Sequence, residues 1–277
     1  MLLNCPPTLH GREPKIEVVP VQTVLDALQQ WIVLNFARRN GVFFLRNYEP
    51  FFFARNPLQY RLMFSKSFLY RFRFPCQYTA TGAASLDDTY RLPNMDQLED
   101  AELQSRLPYD FRIGWNETGL RFALTVAEKK QTLWCRTTQP DESDGIQICL
   151  DTRDIKDIHR ASRFCHRLLF MPIGSGRDQS QPSAAWLPIH RAKEHPNSID
   201  LSQIKMQSHV AAESYRFDVF LPGKILTGFD PTEHPNLGFH FVVRDREYGN
   251  SYFLAAPPLP HDQDPSLWGT LSMAAPG

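Results

Sequence analysis

The chain has 277 residues, of which 42% are hydrophobic, and its 30 basic side chains are balanced by 30 acidic ones. This composition is ordinary for a globular protein, and the neutral charge balance argues against a nucleic-acid partner, which usually requires a basic excess. No apolar run reaches the length of a transmembrane segment.

The cysteines and the N-terminal residues indicate a compartment. The five cysteines are an odd number and include no Cys-x-x-Cys pair. A disulfide framework is therefore not expected, and a reducing compartment fits better. Residues 1–15 contain no apolar run of signal-peptide length. We therefore expect a cytoplasmic protein.

Residues 1–62 are predicted to be an N-terminal extension with one amphipathic helix. From Val21 to Leu34, apolar residues recur at spacings of three and four, which places them on one helix face. Residues 1–20 are expected to be irregular. Met63 is an alternative start of the native protein, because recognisable domain sequence begins just after it. The extension is then either absent from the native protein or an addition specific to this chain.

A basic and aromatic segment spans the end of this extension. No acidic residue occurs between Glu49 and Asp87, whereas five basic residues interleave with aromatic ones. One interpretation is a segment that contacts a membrane surface or RNA. The other is a half-buried strand, because apolar and basic residues alternate along Tyr70–Phe74. We favour the strand.

Short alternating segments dominate the chain after Pro108. Each alternation places its apolar side chains on one face, as in a strand with one buried side. The predicted strands are Gly119–Val126, Ile146–Leu150, Phe164–Phe170, Tyr215–Leu221, Leu237–Val243 and Trp268–Met273. Turn-forming residues separate them, and a short helix is predicted at Asp96–Gln104. Many short strands of this kind predict a mostly β fold, an antiparallel β-sandwich.

Five segments, taken in order, resemble the family 9 carbohydrate-binding modules. They comprise an aromatic followed by Gly-Leu at the start of a strand, a central strand bounded by Asp, a strand ending in Pro, an alternating strand ending in Asp, and a closing Trp-Gly. The segments are Gly114–Phe122, Ser143–Asp151, Tyr215–Pro222, Leu237–Asp245 and Asp264–Leu271. The resemblance implies a DOMON-like β-sandwich of the jelly-roll type over residues 63–277. The segments Asp151–Asp154 and His159–His166 also resemble a subgroup of uncharacterised bacterial proteins.

This resemblance implies that a sugar is held between two aromatic side chains. The apolar faces of a pyranose pack on aromatic rings, and its hydroxyl groups need polar partners. Trp134 matches the position of the first aromatic residue. His261–Gln263 stand where the second usually lies, so that platform is missing unless Trp186 or Trp268 substitutes for it. No cofactor is implied, although such modules can carry a structural calcium ion.

Other polar groups offer alternative sites. His159, Cys165 and His166 are residue types that bind zinc, but adjacent residues of a strand point to opposite faces, so Cys165 and His166 are not expected to share one ion. An enzyme centred on these three residues would require them to converge in one pocket. Asp144, Asp151 and Asp154 carry the oxygen ligands that calcium prefers.

A group of arginines has two interpretations. The residues are Arg153, Arg160, Arg163 and Arg167. They either capture an anionic group such as a carboxylate or phosphate, or form ion pairs with Asp151, Asp154 and Asp157.

The sequence favours a non-catalytic binding protein. It contains no nucleophile elbow, phosphate-binding loop, dinucleotide-binding glycine motif or zinc-protease motif. The expected ligand is a saccharide or a small anionic glycan, stacked on Trp134 and held by hydrogen bonds and charge. The predicted lining residues are Trp134, Arg136, His159, Arg163 and Arg244. The alternative is an intracellular structural or interaction domain that has lost sugar binding, which the missing second platform favours.

Overall fold

The computed structural model describes residues 15–18, 70–80, 85–95 and 107–273. These residues form β-strands connected by loops and short 3-10 turns, and no α-helix occurs among them. The strands are β1 (Lys15–Val18), β2 (Tyr70–Tyr78), β3 (Tyr109–Asn116), β4 (Gly119–Val126), β5 (Gly145–Asp151), β6 (Cys165–Ser175), β7 (Gln181–Trp186), β8 (Lys205–Val210), β9 (Tyr215–Pro222), β10 (Asn236–Arg244), β11 (Ser251–Tyr252) and β12 (Gly269–Met273). The mostly β class is therefore confirmed. Within these ranges, no helix has the length and apolar character needed to cross a membrane.

The strands form two sheets that share β2. The first sheet has the order β7-β6-β5-β10-β12-β2, with β11 paired to β10 and β1 paired to β2. The second sheet has the order β2-β3-β4-β9-β8. Residues 73–76 of β2 pair with β12, and residues 77–78 pair with β3, so this strand crosses from one sheet to the other.

The predicted antiparallel pairing needs a correction at β2. This strand runs parallel to both β12 and β3, whereas the other pairs are antiparallel. Alternation along a strand indicates which face is buried, but it carries no information about the direction of the neighbouring strand. The parallel arrangement was therefore not accessible from the pattern.

The basic and aromatic segment ends in the predicted strand. Phe72 and Phe74 of β2 are buried, whereas Arg71 and Arg73 are exposed. The half-buried strand is thus confirmed for this part of the segment.

The expectation that residues 1–20 are irregular was wrong for β1, whose four residues pair antiparallel with residues 70–73. A run of four residues is too short for a reliable alternation signal. The helices predicted at Val21–Leu34 and Asp96–Gln104 lie outside the described residues, and the boundary at Met63 stays a prediction.

The core lies between the two sheets. The inward residues Leu120, Phe217 and Phe241 are at most 1% exposed, as the alternation predicts. Aromatic rings from opposite sheets interlock, with centroid distances of 4.5 Å between Phe111 and Phe241 and 4.9 Å between Phe122 and Phe170. Burying each such side chain stabilises the fold by about 2 kcal/mol. This aromatic packing fixes the positions of the strands that carry the polar residues described below.

Loops cover much of the outer face of the first sheet, which is the face turned away from this core. Two small apolar clusters lie there. One contains Cys149, Cys165 and Trp268, and the other contains Cys135, Leu169 and Met171. The four described cysteines are free and buried. Polar side chains of β5, β6 and β10 share this outer face with the two clusters.

Candidate functional site

The candidate site is a group of polar side chains on the outer face of the first sheet. Inward Ile146, Ile148 and Leu150 on β5 alternate with outward Gln147 and Cys149. The antiparallel register places Cys149 opposite Arg167 of β6 on one side and His240 of β10 on the other. The same alternation that builds the core therefore gathers these polar groups on three adjacent strands.

Two arginines share a glutamine at the centre of this group. Gln147 Oε1 accepts hydrogen bonds from Arg167 Nη2 at 2.9 Å and from Arg244 Nη2 at 2.6 Å. Asp141 Oδ1 lies 2.9 Å from Arg167 Nη2 and 3.6 Å from Arg244 Nη2, and Asp262 Oδ2 lies 3.2 Å from Arg167 Nη2. These five residues are called the arginine cluster below. Its two positive and two negative charges cancel.

A pair of histidines lies beside the arginine cluster. The rings of His240 and His261 are 5.6 Å apart, and Tyr252 contacts His261 edge-on at 4.9 Å. Burial lowers the pKa of His240 well below its ordinary value, and the neighbouring His261 lowers it further. Burial also lowers the pKa of His261. Both rings are therefore neutral at pH 7, and each offers one N–H donor and one acceptor nitrogen.

Several buried nitrogen atoms of this site have no hydrogen-bond partner among the described residues. They are Arg167 Nε, Arg244 Nε, His240 Nδ1, His240 Nε2 and His261 Nδ1. Buried polar atoms are normally satisfied, so such a concentration in one place needs an explanation. Because each of these atoms is almost fully shielded from solvent, a ligand group or a water molecule has to enter the site to satisfy it.

The structure separates the predicted lining residues into three places. Arg244 belongs to the arginine cluster. Trp134 and Arg136 lie nearby, on the loop between β4 and β5. His159 and Arg163 lie elsewhere and do not join them.

The Trp134 ring carries two guanidinium groups. The Arg246 guanidinium lies 4.5 Å from the ring centroid and that of Arg136 lies 5.8 Å from it. Arg136 also donates to Gln179 at 2.9 Å. Asp144 fixes the loop, because its carboxylate accepts from the backbone N–H groups of Trp134 and Arg246 at 2.9 and 2.8 Å. These bonds hold the Trp134 ring against Arg246, which follows β10 and lies two residues after Arg244 in the sequence.

A buried lysine forms ion pairs with the loop that carries Trp134 and with the turn after β10. Lys129 is 3% exposed, and its ammonium group lies 2.7 Å from Asp245, 3.7 Å from Glu247 and 3.9 Å from Asp144. Burial raises the pKa of Asp144. The lysine thus links the loop that carries Trp134 to the turn that follows β10.

His159 and Arg163 make local contacts. His159 Nδ1 lies 3.1 Å from Asp264 Oδ2 and 3.1 Å from Ser266 Oγ, and the His159 side chain is exposed. Arg163 lies over the Phe164 ring at 5.0 Å. Both residues belong to the loop between β5 and β6, and each has its own partners there. Neither contacts Trp134.

The arginines predicted as one group lie in three places: Arg153 and Arg163 share the Phe164 ring, whereas Arg160 and Arg167 lie apart from them. Arg153 donates to the backbone carbonyl of Gly228, Arg160 donates to that of Arg191, and Arg167 belongs to the arginine cluster. The expected pairing with Asp151 and Asp154 was wrong. The Asp151 carboxylate instead accepts hydrogen bonds from two backbone N–H groups, and Asp154 forms an ion pair with Lys156 at 2.5 Å.

The alternative metal sites are also dispersed. Cys165 packs in an apolar cluster on the outer face, whereas His166 Nε2 faces the carbonyl of Thr227 at 3.5 Å. The two side chains therefore point to opposite faces, as predicted. Among the described residues, no group of three His, Cys, Asp or Glu side chains is arranged to hold a metal ion. The carboxylates proposed for calcium are engaged by the hydrogen bonds and ion pair described above.

Three members of the arginine cluster, Gln147, Asp141 and Asp262, were not predicted from the sequence as site residues. The alternation of β5 does place Gln147 outward, but an outward polar residue looks like ordinary surface. Asp141 lies in a loop whose path has no periodic signal. Only the register of β5, β6 and β10 brings these residues together.

Comparisons with known proteins bear on the fold. No protein-family model matches the sequence, and no curated protein matches it significantly. A family 9 carbohydrate-binding module from Caldicellulosiruptor kristjanssonii, solved in complex with glucose, matches with a TM-score of 0.52 and 13% identity over 74% of this chain and 97% of that chain. A family 9 module from the same organism, solved with cellotriose, gives a TM-score of 0.50 and 14% identity over 74% and 95% of the two chains. The chain is therefore similar in fold to the family 9 carbohydrate-binding modules.

Proposed function

We propose that the chain is a non-catalytic saccharide-binding protein whose ligand lies against the arginine cluster and the histidine pair. The unpartnered buried nitrogens of Arg167, Arg244, His240 and His261 carry this proposal. Sugar hydroxyl groups both donate and accept hydrogen bonds, so one pyranose can satisfy arginine donors and neutral imidazoles together. The two modules with a similar fold were solved with glucose and cellotriose, which supports a saccharide as the ligand class.

The surroundings of the cluster suit a partly apolar ring. Tyr252 provides aromatic surface beside His261, and a pyranose packs its C–H faces on such a ring. The partly exposed carboxylate of Asp262 provides oxygen acceptors for hydroxyl groups. The site therefore combines aromatic surface with donors and acceptors that are held in place by a sheet, which is the arrangement that directional sugar binding requires.

Replacing Arg167 with methionine is expected to weaken saccharide binding by at least about tenfold, because it removes charged hydrogen-bond donors from the site. The measurement is calorimetric titration of the purified chain with D-glucose, D-xylose and acidic monosaccharides. Arg216→Met is the matched control, since Arg216 pairs with Asp218 on β9 of the other sheet. Equal binding by both variants would contradict the proposed location.

A second candidate function is a structural or interaction domain inside the cell that has lost sugar binding. The guanidinium group of Arg246 over the Trp134 ring favours it, because a ring face that already contacts a cation is not free to stack a sugar. The same titration decides between the two. If the protein is normally folded and none of the saccharides gives a heat of binding, the interaction domain is favoured.

A further inference from the structure

Asp141 differs from the rest of the arginine cluster in its exposure. Its side chain is 58% exposed, whereas those of Arg167, Arg244 and Asp262 are 11%, 16% and 22% exposed. It lies in the 3-10 turn Pro140–Glu142, in the loop between β4 and β5. Its carboxylate thus bridges two mostly buried guanidinium groups from the solvent side.

The Asp141 carboxylate contacts Nη2 of each arginine and leaves the adjacent Nε without a partner in the described part of the chain. Arg167 binds Asp141 through Nη2, and the neighbouring Nε has no partner among the described residues. Arg244 also directs Nη2 towards Asp141 and leaves Nε without a partner there. A carboxylate prefers to accept two parallel N–H bonds from one guanidinium edge. A ligand carboxylate that reached Nε as well as Nη2 would therefore be bound better than Asp141 is.

Charge balance favours an exchange of one carboxylate for another. The two arginines are neutralised by Asp141 and Asp262 in the present arrangement. A ligand anion added to all four charges would leave the site negative, whereas an anion that takes the place of the Asp141 side chain keeps it neutral. Burying an unbalanced charge is costly, so exchange is the favoured route.

The backbone around Asp141 can stay in place during such an exchange. Its carbonyl oxygen accepts a hydrogen bond from Arg244 Nη1, and Ser143 N donates to Pro140 O to close the turn. Only the exposed side chain has to rotate into solvent.

Building on the proposed function, we propose that Asp141 occupies the position of a ligand carboxylate, and that the preferred ligand is an acidic sugar of the uronate class. Its carboxylate displaces the Asp141 side chain from Arg167 and Arg244, and its hydroxyl groups contact His261, which is the more exposed of the two histidines. Asp141 thereby discriminates between ligands: a neutral sugar can bind only the Nε donors that Asp141 leaves open, whereas a carboxylate can also replace Asp141 at Nη2.

The test is calorimetric titration of the full chain and of Asp141→Ala with D-glucuronate, D-glucose and acetate. The wild-type chain is expected to bind glucuronate more tightly than glucose. Asp141→Ala is expected to bind glucuronate about fivefold more tightly again, because a partly exposed ion pair no longer competes. Its affinity for glucose stays within about twofold. Acetate, which has the carboxylate but no ring, is expected to bind weakly to both proteins.

Glu142→Ala is the matched control, since Glu142 is the next residue of the same turn and is also exposed. It removes the same charge from the same loop without touching the arginines. An equal gain in glucuronate affinity for both variants would mean general electrostatics and would overturn the displacement. Binding of glucose without any preference for glucuronate would overturn the inference while leaving the proposed function intact. No binding of either sugar by either protein would overturn both.

Discussion

Replacing Lys129 with methionine is expected to lower the free energy of unfolding by about 4 kcal/mol, measured by urea denaturation at neutral pH. The ammonium group is buried, 2.7 Å from Asp245 and 3.9 Å from Asp144. Methionine occupies a similar volume but leaves two buried carboxylates without their cation. The expected loss comes from stranded negative charge rather than from a cavity.

Two further variants test whether the loss of stability comes from the stranded negative charge. Lys130→Met is the matched control, because Lys130 is adjacent and exposed, and it is expected to change stability by less than about 0.5 kcal/mol. Adding Asp245→Asn to Lys129→Met removes one stranded charge and keeps an oxygen for the N–H groups of Glu247 and Tyr248. This double variant is expected to recover about half of the loss. A loss below about 1 kcal/mol for Lys129→Met alone would contradict the proposed role of the buried charge.

Acid is expected to destabilise the protein by about 3 kcal/mol through His166 alone as the pH falls from 7 to 4. Burial lowers the pKa of His166 from 6.5 to about 4. In the unfolded chain the imidazole takes up a proton as the pH falls through 6.5, whereas in the folded protein it stays neutral until about pH 4. The unfolded state therefore binds more protons in this window, so stability is full above pH 6.5 and decreases as the pH falls.

The measurement is urea unfolding of the wild-type chain and His166→Gln at pH 7.5, 6 and 5. Glutamine keeps an N–H donor for the carbonyl of Thr227, which His166 Nε2 faces at 3.5 Å, but does not titrate. The variant is expected to lack the part of the pH dependence that His166 causes. His209→Gln on β8 is the matched control, since His209 is exposed. Parallel pH profiles for the wild-type chain and His166→Gln would show that His166 does not titrate differently on folding.

The alternation of apolar residues was sufficient to predict the buried face of the main strands. Phe217, Phe241 and Leu120 lie in the core as expected, because a side-chain period of two is a direct consequence of strand geometry. The pattern gave no indication of β7 and β8, because most of their side chains are exposed or only partly buried and do not alternate clearly between apolar and polar residues. Strand order and the parallel pairs of β2 depend on contacts between distant segments and have no local signature.

The site was less predictable than the core, because its residues are also brought together by contacts between distant segments of the chain. Arg244 was among the predicted lining residues, and Arg167 was predicted only within a group of arginines whose other members lie elsewhere. Gln147 and Asp141 join these two through the register of three strands and the path of one loop. A binding site made of outward residues carries no periodic signal of its own, because any polar residue satisfies the outward position of a strand.

The crossing of β2 between the sheets has a consequence for how the chain folds. Its partner β12 lies almost two hundred residues further along the sequence, at Gly269–Met273. During synthesis, the hydrogen-bonding edge of β2 that pairs with β12 stays open until nearly the whole described chain has been made. Pairings of such large sequence separation slow folding and leave strand edges exposed to other chains in the meantime. A fragment that ends before Gly269 is accordingly expected to aggregate, even though it retains most of the aromatic core.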